Sequence, residues 1–115
     1  MRKIERQMLQ AVNTPGMDLT TSNTKVRWQG DSYTEILLHD NLIASIHWGD
    51  RVMWVSDAGW QTNTTKSRLN ALLQELGGRA RIYQKDFVWY LTSGLDATEP
   101  YDREMDRNGC YAVSL

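Results

Sequence analysis

The stretch that decides the fold runs from Lys25 to Ser56 and reads KVRWQGDSYTEILLHDNLIASIHWGDRVMWVS. In it, three two-residue turn signals, Gly30-Asp31, Asp40-Asn41 and Gly49-Asp50, separate segments in which apolar and polar residues alternate. Alternation with a period of two is typical of a half-buried strand, and a two-residue turn fixes which residues pair across a hairpin. The stretch therefore predicts an antiparallel meander of four strands.

Pairing across the three turns assigns the side chains of the meander to two faces. It sets Trp28 opposite Tyr33 and Leu37 opposite Ala44. The face predicted to form the core carries Val26, Trp28, Tyr33, Leu37, Leu42, Ala44, Ile46, Trp48, Met53 and Val55. Glu35 also falls on this face, where an unpaired carboxylate would be costly. Either Glu35 reaches the sheet margin or the register is wrong there.

The opposite face of the meander is mixed in character. It carries Lys25, Arg27, Gln29, Thr34, Ile36, Leu38, Ile43, Ser45, His47, Val52 and Trp54. Its apolar members lie on the inner strands, so we expect the N-terminal helix to cover them. Lys25, Arg27 and Gln29 fall on an edge strand, where charged side chains protect against pairing with another chain.

Two segments outside the meander have helical periodicity. Arg2 to Val12 carries apolar residues at a spacing of four, which predicts a short amphipathic helix. Thr64 to Leu76 is the clearer helix, because leucines at 69, 72, 73 and 76 form a complete apolar stripe. Its N-cap is one of residues 63–65, and Gly77-Gly78 ends it. We expect this central helix to lie across the core face of the meander.

A second hairpin follows the central helix. Its strands run from Arg79 to Gln84 and from Phe87 to Thr92, on either side of the turn Lys85-Asp86. One face of this hairpin carries Ala80, Ile82, Phe87, Trp89 and Leu91. The fold class is therefore α+β, with one domain over residues 1–94. The acidic segment 95–115 is either partly disordered or packed back on the domain.

Composition limits the class of protein. At 115 residues and 41% hydrophobic residues, the chain is long enough to bury a core without disulfides. Its single cysteine, Cys110, excludes an internal disulfide and fits a reducing compartment. No apolar segment approaches the roughly 20 residues of a membrane span, so we expect a soluble cytoplasmic protein that does not bind membranes. A net charge of −1 excludes both a strongly basic nucleic-acid binder and an acidic DNA mimic.

Charge is nevertheless uneven along the chain. Residues 95–115 hold five acidic and two basic residues, a net charge of −3, whereas residues 61–91 hold five basic and two acidic residues, a net charge of +3. Either both segments are ordinary solvated surface, or the acidic segment folds over a basic site and competes there with an anionic ligand.

The start of the central helix is the best candidate for such a site. Thr64, Thr65, Lys66, Ser67 and Arg68 place hydroxyls and two cations where the helix dipole already presents positive charge. Hydroxyls, free backbone amides and cations together favour a phosphate or carboxylate. The alternative is that Lys66 and Arg68 point to solvent or pair with the acidic segment. No glycine-rich loop supports a nucleotide cradle here.

Aromatic and basic residues outside the predicted core suggest two further surfaces. Arg79 and Arg81 would extend a phosphate track, and Trp60 and Tyr83 would stack bases. A surface around Trp54, or the edge strand that carries Lys25 and Arg27, would instead bind a protein. For each aromatic residue, the alternative is burial under the N-terminal helix or the C-terminal segment.

Catalytic and metal-binding patterns are absent from the sequence. The two histidines, His39 and His47, fall on opposite faces of the predicted sheet, and Cys110 has no CxxC partner. The sequence contains no GxSxG, HExxH or GxxxxGK[ST] pattern. We therefore expect a protein that is not an enzyme and that binds neither a metal nor a cofactor.

Three segments resemble a family of small proteins of unknown function encoded by tailed bacteriophages. They are Leu38 to Ala44, Gly59 to Leu73 and Tyr83 to Phe87, and the run from Trp60 to Leu73 is the most specific. The resemblance extends from the N-terminal helix to the second hairpin, and the acidic segment after Leu95 departs from it. It implies a viral accessory protein in the cytoplasm of a bacterial host, with no known activity.

Two hypotheses of different class follow. In the first, the protein binds nucleic acid through the start of the central helix and the neighbouring basic and aromatic residues, with an affinity that falls steeply with salt. In the second, it binds and modulates a host protein through Trp54 or the edge strand, with little dependence on salt. The sequence leaves the oligomeric state open.

Overall fold

The computed structural model describes residues 2–92 and 102–115. These residues form two α-helices and nine β-strands. In chain order they are α1 (Lys3–Val12), β1 (Leu19–Thr20), β2 (Thr24–Gln29), β3 (Tyr33–Leu38), β4 (Asn41–His47), β5 (Val52–Val55), α2 (Asn63–Leu76), β6 (Arg81–Lys85), β7 (Val88–Thr92), β8 (Arg103–Glu104) and β9 (Tyr111–Ser114). The predicted α+β fold is confirmed.

The strands form two antiparallel sheets. The larger sheet has the order β1-β2-β3-β4-β5-β9, and the smaller sheet has the order β6-β7-β8. The predicted meander is therefore β2 to β5, extended by β1 on one side and by the C-terminal β9 on the other. The predicted second hairpin is β6-β7, to which β8 adds a short third strand.

Both helices pack on the same face of the larger sheet, which we call the core face. The stripe on α2 is confirmed, since Leu69, Leu72 and Leu73 are fully buried. Burial of each of these leucines contributes about 1.5–3 kcal/mol. Helix α1 packs beside α2 rather than on the opposite face, because Met8 and Val12 join the same buried cluster. The expectation that α1 would cover the opposite face is therefore wrong.

The register of β3 differs from the prediction by one residue. The first turn contains three residues, 30–32, so that Gln29 pairs with Tyr33 and Val26 pairs with Ile36. Because side chains alternate between faces, a shift of one residue exchanges the two sides of the strand. The core-face residues of β3 are consequently Thr34, Ile36 and Leu38, all buried. Tyr33, Leu37 and Glu35 lie on the opposite face, which removes the conflict at Glu35.

The second turn is His39-Asp40 rather than Asp40-Asn41. Both turn residues have positive φ values, 50° and 63°, as a two-residue hairpin turn requires. The register then shifts between Ile36 and Leu37, so that Ile36 faces Ala44 while Leu37 faces Leu42. Leu42, predicted in the core, is exposed, and Ile43, predicted on the opposite face, is buried.

Strands β2 and β5, and β4 from Ala44 onward, keep their predicted faces. Ala44, Ile46, Met53 and Val55 are all buried on the core face, as the third turn predicts. Trp28 and Trp48 lie at the margin of this face. Their rings stack with centroids 5.8 Å apart, and the Trp28 indole Nε1–H donates to the Ala11 carbonyl at 3.0 Å. The predicted core face is therefore correct throughout β2 and β5 and from Ala44 onward in β4.

The turn of the second hairpin also lies one residue later than predicted. It is Asp86-Phe87, because Lys85 pairs with Val88. Compared with the prediction, the pairing of the two strands is shifted by two residues. An even shift keeps Ile82, Trp89 and Leu91 on one buried face, but it places Phe87 in the turn. Phe87, predicted to share this apolar face of the hairpin, has a φ of 65° and is 92% exposed.

The described part of the C-terminal segment packs against the rest of the protein. Strand β9 pairs with β5, and Met105 is buried, with its backbone N–H donating to the Trp89 carbonyl at 2.8 Å. The first part of the acidic segment, residues 95–101, lies outside the described residues.

Candidate functional site

Helix α2 begins one residue before the predicted range. Thr62 is the N-cap, and its Oγ1 accepts a hydrogen bond from the Thr65 backbone N–H at 3.1 Å. The Thr62 carbonyl accepts from the Lys66 N–H at 3.0 Å. Thr65 is buried, whereas Thr64, Lys66 and Ser67 are half-buried at this helix start.

Arg68 points into the protein rather than toward a ligand. It is 2% exposed, its Nη1–H donates to Glu5 Oε2 at 2.8 Å, and its Nε–H donates to Thr24 Oγ1 at 3.1 Å. The Ser67 hydroxyl donates to the same Glu5 oxygen. This buried group already neutralises the Arg68 charge, so Arg68 and Ser67 are not available to an external phosphate.

A sequence signal for this ion pair exists. Glu5 lies three residues before Met8 and seven before Val12, so it falls on the apolar stripe of α1 and needs a partner when that stripe is buried. The periodicity of α1 therefore indicates a buried carboxylate. Its partner, 63 residues away along the chain, is identified only by the packing of α1 against α2.

The predicted phosphate track is divided between the two ends of α2. Arg79 follows the helix C-terminus, roughly 20 Å from its start, given a rise of about 1.5 Å per residue over this length. Arg81 lies beside it, and its Nη1–H donates to the Ala80 carbonyl at 2.6 Å. The structure thus does not bring Arg79 and Arg81 together with Thr64 and Lys66.

Tyr83 is also engaged within the protein. Its ring stacks on Tyr90 with centroids 5.4 Å apart, and its hydroxyl bonds to the Asp102 carboxylate. That hydrogen bond raises the pKa of the Tyr83 hydroxyl above its usual value. One face of the ring is therefore already occupied, which leaves Trp60 as the predicted stacking residue with an exposed ring.

Trp60 stands at the mouth of a cleft of about 420 Å³ between the β3-β4 turn and the start of α2. The side chain is 65% exposed. Leu38 and Ile43 form buried walls of the cleft, and His39 and Asn41 line it as well.

The second candidate surface is the face of the larger sheet opposite the core, which we call the outer face. It consists of Lys25, Arg27, Gln29, Tyr33, Glu35, Leu37, Leu42, Ser45, His47, Val52, Trp54, Ala112 and Ser114. Neither helix packs on it, and Trp54 and Leu42 are each 42% exposed. The protein-binding candidates Trp54, Lys25 and Arg27 all lie on this face.

Polar contacts on the outer face are local. Lys25 forms an ion pair with Asp40, and the Lys25 hydrogen bond and charge hold the pKa of the Asp40 carboxyl below its usual value. The Tyr33 ring lies 4.8 Å from the His47 ring, and the Tyr33 hydroxyl donates to Glu35 Oε2 at 3.2 Å. Partial burial, followed by the Glu35 charge and this hydrogen bond, raises the Tyr33 pKa.

The prediction of a free edge at Lys25 to Gln29 is wrong. Strand β1 pairs with β2, setting Leu19 opposite Val26, and the Trp28 backbone N–H donates to Asp18 Oδ1 at 2.9 Å. Asp18 and β1 therefore occupy the backbone groups that a partner strand would need, so any binding through Lys25 and Arg27 uses their side chains.

No cluster of three or more metal-ligating side chains occurs within residues 2–92 and 102–115. His47 lies on the outer face and His39 lies in a turn beside the cleft. Neither helix of these ranges has the length and apolar character that a membrane span requires.

Comparison with known proteins places the chain in a phage family. The family model of the Kyanoviridae Gp96 protein matches residues 1–108. The chain belongs to this family. The Kyanoviridae are cyanophages, so the resemblance to phage-encoded proteins is confirmed. The match extends beyond the second hairpin and includes most of the acidic segment that the resemblance left out.

The family description names no activity and gives no evidence of catalysis. No curated protein and no solved structure matches this Gp96 family member. Its function must therefore be argued from the two candidate surfaces.

Proposed function

We propose that this phage protein is a non-catalytic accessory protein that binds and modulates a protein of its bacterial host through the outer face of the larger sheet. The observation that supports the proposal is that neither helix of residues 2–92 and 102–115 packs on this face, although Trp54 and three large aliphatic side chains lie on it. The aliphatic residues are Leu37, Leu42 and Val52.

The outer face has the anatomy of a protein interface. Protein interfaces combine an apolar, often aromatic centre with a polar rim, and tryptophan is enriched among the residues that dominate their energy. Here Trp54 lies on an inner strand, and the ion pair of Lys25 with Asp40 lies toward the opposite side of the sheet. The core is complete without Trp54, because both helices pack on the other face.

Charge favours a protein over nucleic acid as the partner of this face. A phosphate backbone is bound by a track of unmatched cations. On the outer face, Lys25 is paired with Asp40, and Arg27 stands directly opposite Glu35 across β2 and β3. A nearly balanced rim of this kind suits a partner that itself carries charges of both signs.

Affinity purification from host lysate tests the proposal. The wild-type protein and Trp54→Glu are immobilised, and bound proteins are quantified by mass spectrometry. We expect a host protein that wild type enriches and Trp54→Glu loses at least tenfold, with little change between low and moderate salt. Trp60→Glu is the matched control, since it changes an exposed tryptophan off this face. Equal recovery with wild type and Trp54→Glu would contradict the proposal.

A further inference from the structure

Trp60 combines a fixed backbone with an exposed ring. Its N–H donates to the Asp57 carbonyl at 2.9 Å, and the Asp57 carboxylate is 1% exposed. Asp57 Oδ1 accepts from the Gly59 N–H at 2.7 Å and from the Asn108 N–H at 2.9 Å, and Oδ2 accepts from Gln61 Nε2–H at 3.0 Å. Three hydrogen bonds from N–H donors compensate the buried charge and hold the loop in one conformation.

Gly59 fits this loop for a steric reason. Its φ is 90°, and a Cβ at this position would lie 2.9 Å from Asn108 Oδ1. The positive φ therefore favours glycine here, and a larger residue would also require the Asn108 side chain to shift. Trp60 therefore lies on a loop that is held in place by hydrogen bonds to Asp57, although the Trp60 ring contributes little to the core.

The cleft beside Trp60 has the size and lining of a small-ligand site. Pockets for small ligands begin at about 300 Å³ and combine apolar walls with a few polar groups. This cleft measures about 420 Å³, with buried Leu38 and Ile43 as apolar walls. Asn41 Nδ2–H donates to the His39 carbonyl at 3.1 Å, which leaves the Asn41 Oδ1 and the His39 imidazole for a ligand.

We infer that this cleft binds a single base of a single-stranded nucleic acid, stacked on Trp60. A flat ring with hydrogen-bonding groups on its edge matches an exposed indole beside an amide, an imidazole and the Thr64 hydroxyl. Lys66, on the first turn of α2, pairs with no carboxylate of residues 2–92 and 102–115, so its charge is free for an adjacent phosphate. The site is separate from the outer face and does not depend on the proposed protein partner.

Titration with octamers of dT, dA, rU and rA tests this inference. Binding is followed by tryptophan fluorescence and by the indole N–H signals in ¹⁵N–¹H spectra. We expect the Trp60 signal to move most, Trp60→Ala to weaken binding about 10- to 100-fold, and Trp60→Phe to retain most of the affinity, since base stacking on an aromatic ring is worth about 1–3 kcal/mol. Lys66→Gln should reduce the salt dependence by about one charge.

Trp54→Ala is the matched control, because its ring is exposed on the outer face. We expect it to leave oligonucleotide affinity unchanged, and we expect Trp60→Ala to unfold at the wild-type temperature. No binding of any octamer at about 1 mM in low salt would overturn the inference. Equal losses from Trp60→Ala and Trp54→Ala would also overturn it, as would binding of hydrophobic peptides in place of the octamers.

Discussion

Thr24 and Lys25 are neighbours on β2, yet they take part in opposite kinds of polar contact. Thr24 faces the core, where it joins the ion pair of Arg68 with Glu5, whose side chains are almost fully buried. Lys25 faces outward and pairs with Asp40, whose side chain is largely exposed. The face of the sheet on which a residue lies therefore decides whether its polar contact is buried in the core or remains at the surface.

The largest effect should come from breaking the buried pair. Glu5→Ala leaves the Arg68 charge buried without a partner, which we expect to lower the free energy of unfolding by about 3–5 kcal/mol. Urea unfolding of the purified wild-type and variant proteins measures this loss in the free energy of unfolding. The double variant Glu5→Leu with Arg68→Met is the control and should recover most of the loss, because it leaves no unpaired charge. A loss below about 1 kcal/mol in Glu5→Ala would show that the pair is not desolvated.

Two adjacent residues on β3 lie on opposite faces of the sheet and differ in burial. Ile36 is fully buried on the core face, whereas Leu37 is half-buried on the outer face. We expect Ile36→Ala to cost about 2–5 kcal/mol and Leu37→Ala clearly less, in chemical denaturation. The register that the sequence alone predicts gives the reverse order, so the experiment distinguishes the two registers directly.

A smaller effect of opposite sign is expected at the tip of the second hairpin. Phe87 adopts a left-handed conformation that disfavours bulky residues, and its exposed ring gains little from burial. Phe87→Gly should therefore raise the free energy of unfolding by about 0.5–1 kcal/mol. Val88→Gly, a change within the neighbouring strand, should destabilise instead. A less stable Phe87→Gly variant would mean that contacts of the Phe87 ring offset the cost of its left-handed backbone conformation.

The smallest effect should be the pH dependence of the exposed pair. The Asp40 pKa is lower in the folded protein than its usual value, so the pair stabilises the fold above about pH 4 and loses this contribution as the pH falls through the folded pKa. Thermal unfolding of wild type and Lys25→Ala should therefore converge as the solution is acidified from pH 6 to about pH 3. A difference that stays constant over this range would exclude a contribution from the ion pair.

Long-range packing decides the contacts of the candidate site residues, and local sequence does not predict these contacts. Local composition predicts the start of α2 as a helix rich in hydroxyls and cations, but Arg68 is neutralised by Glu5 across 63 residues of chain. The exposed position of Trp60 depends on Asp57 and Asn108, which lie 51 residues apart. Local composition identified these residues as unusual, and only their contacts distinguish a buried ion pair from an exposed ring.

Local sequence was enough to define which segments are strands and helices, because alternation and the leucine stripe of α2 are properties of neighbouring residues. It also determined the antiparallel order of β2 to β5, since short turns allow no other connection. Packing in three dimensions set which side of β3 faces the core, because one additional turn residue exchanges the two faces of the strand. It also decided that both helices cover the same face, which leaves Trp54 exposed, since burial depends on how distant segments pack together.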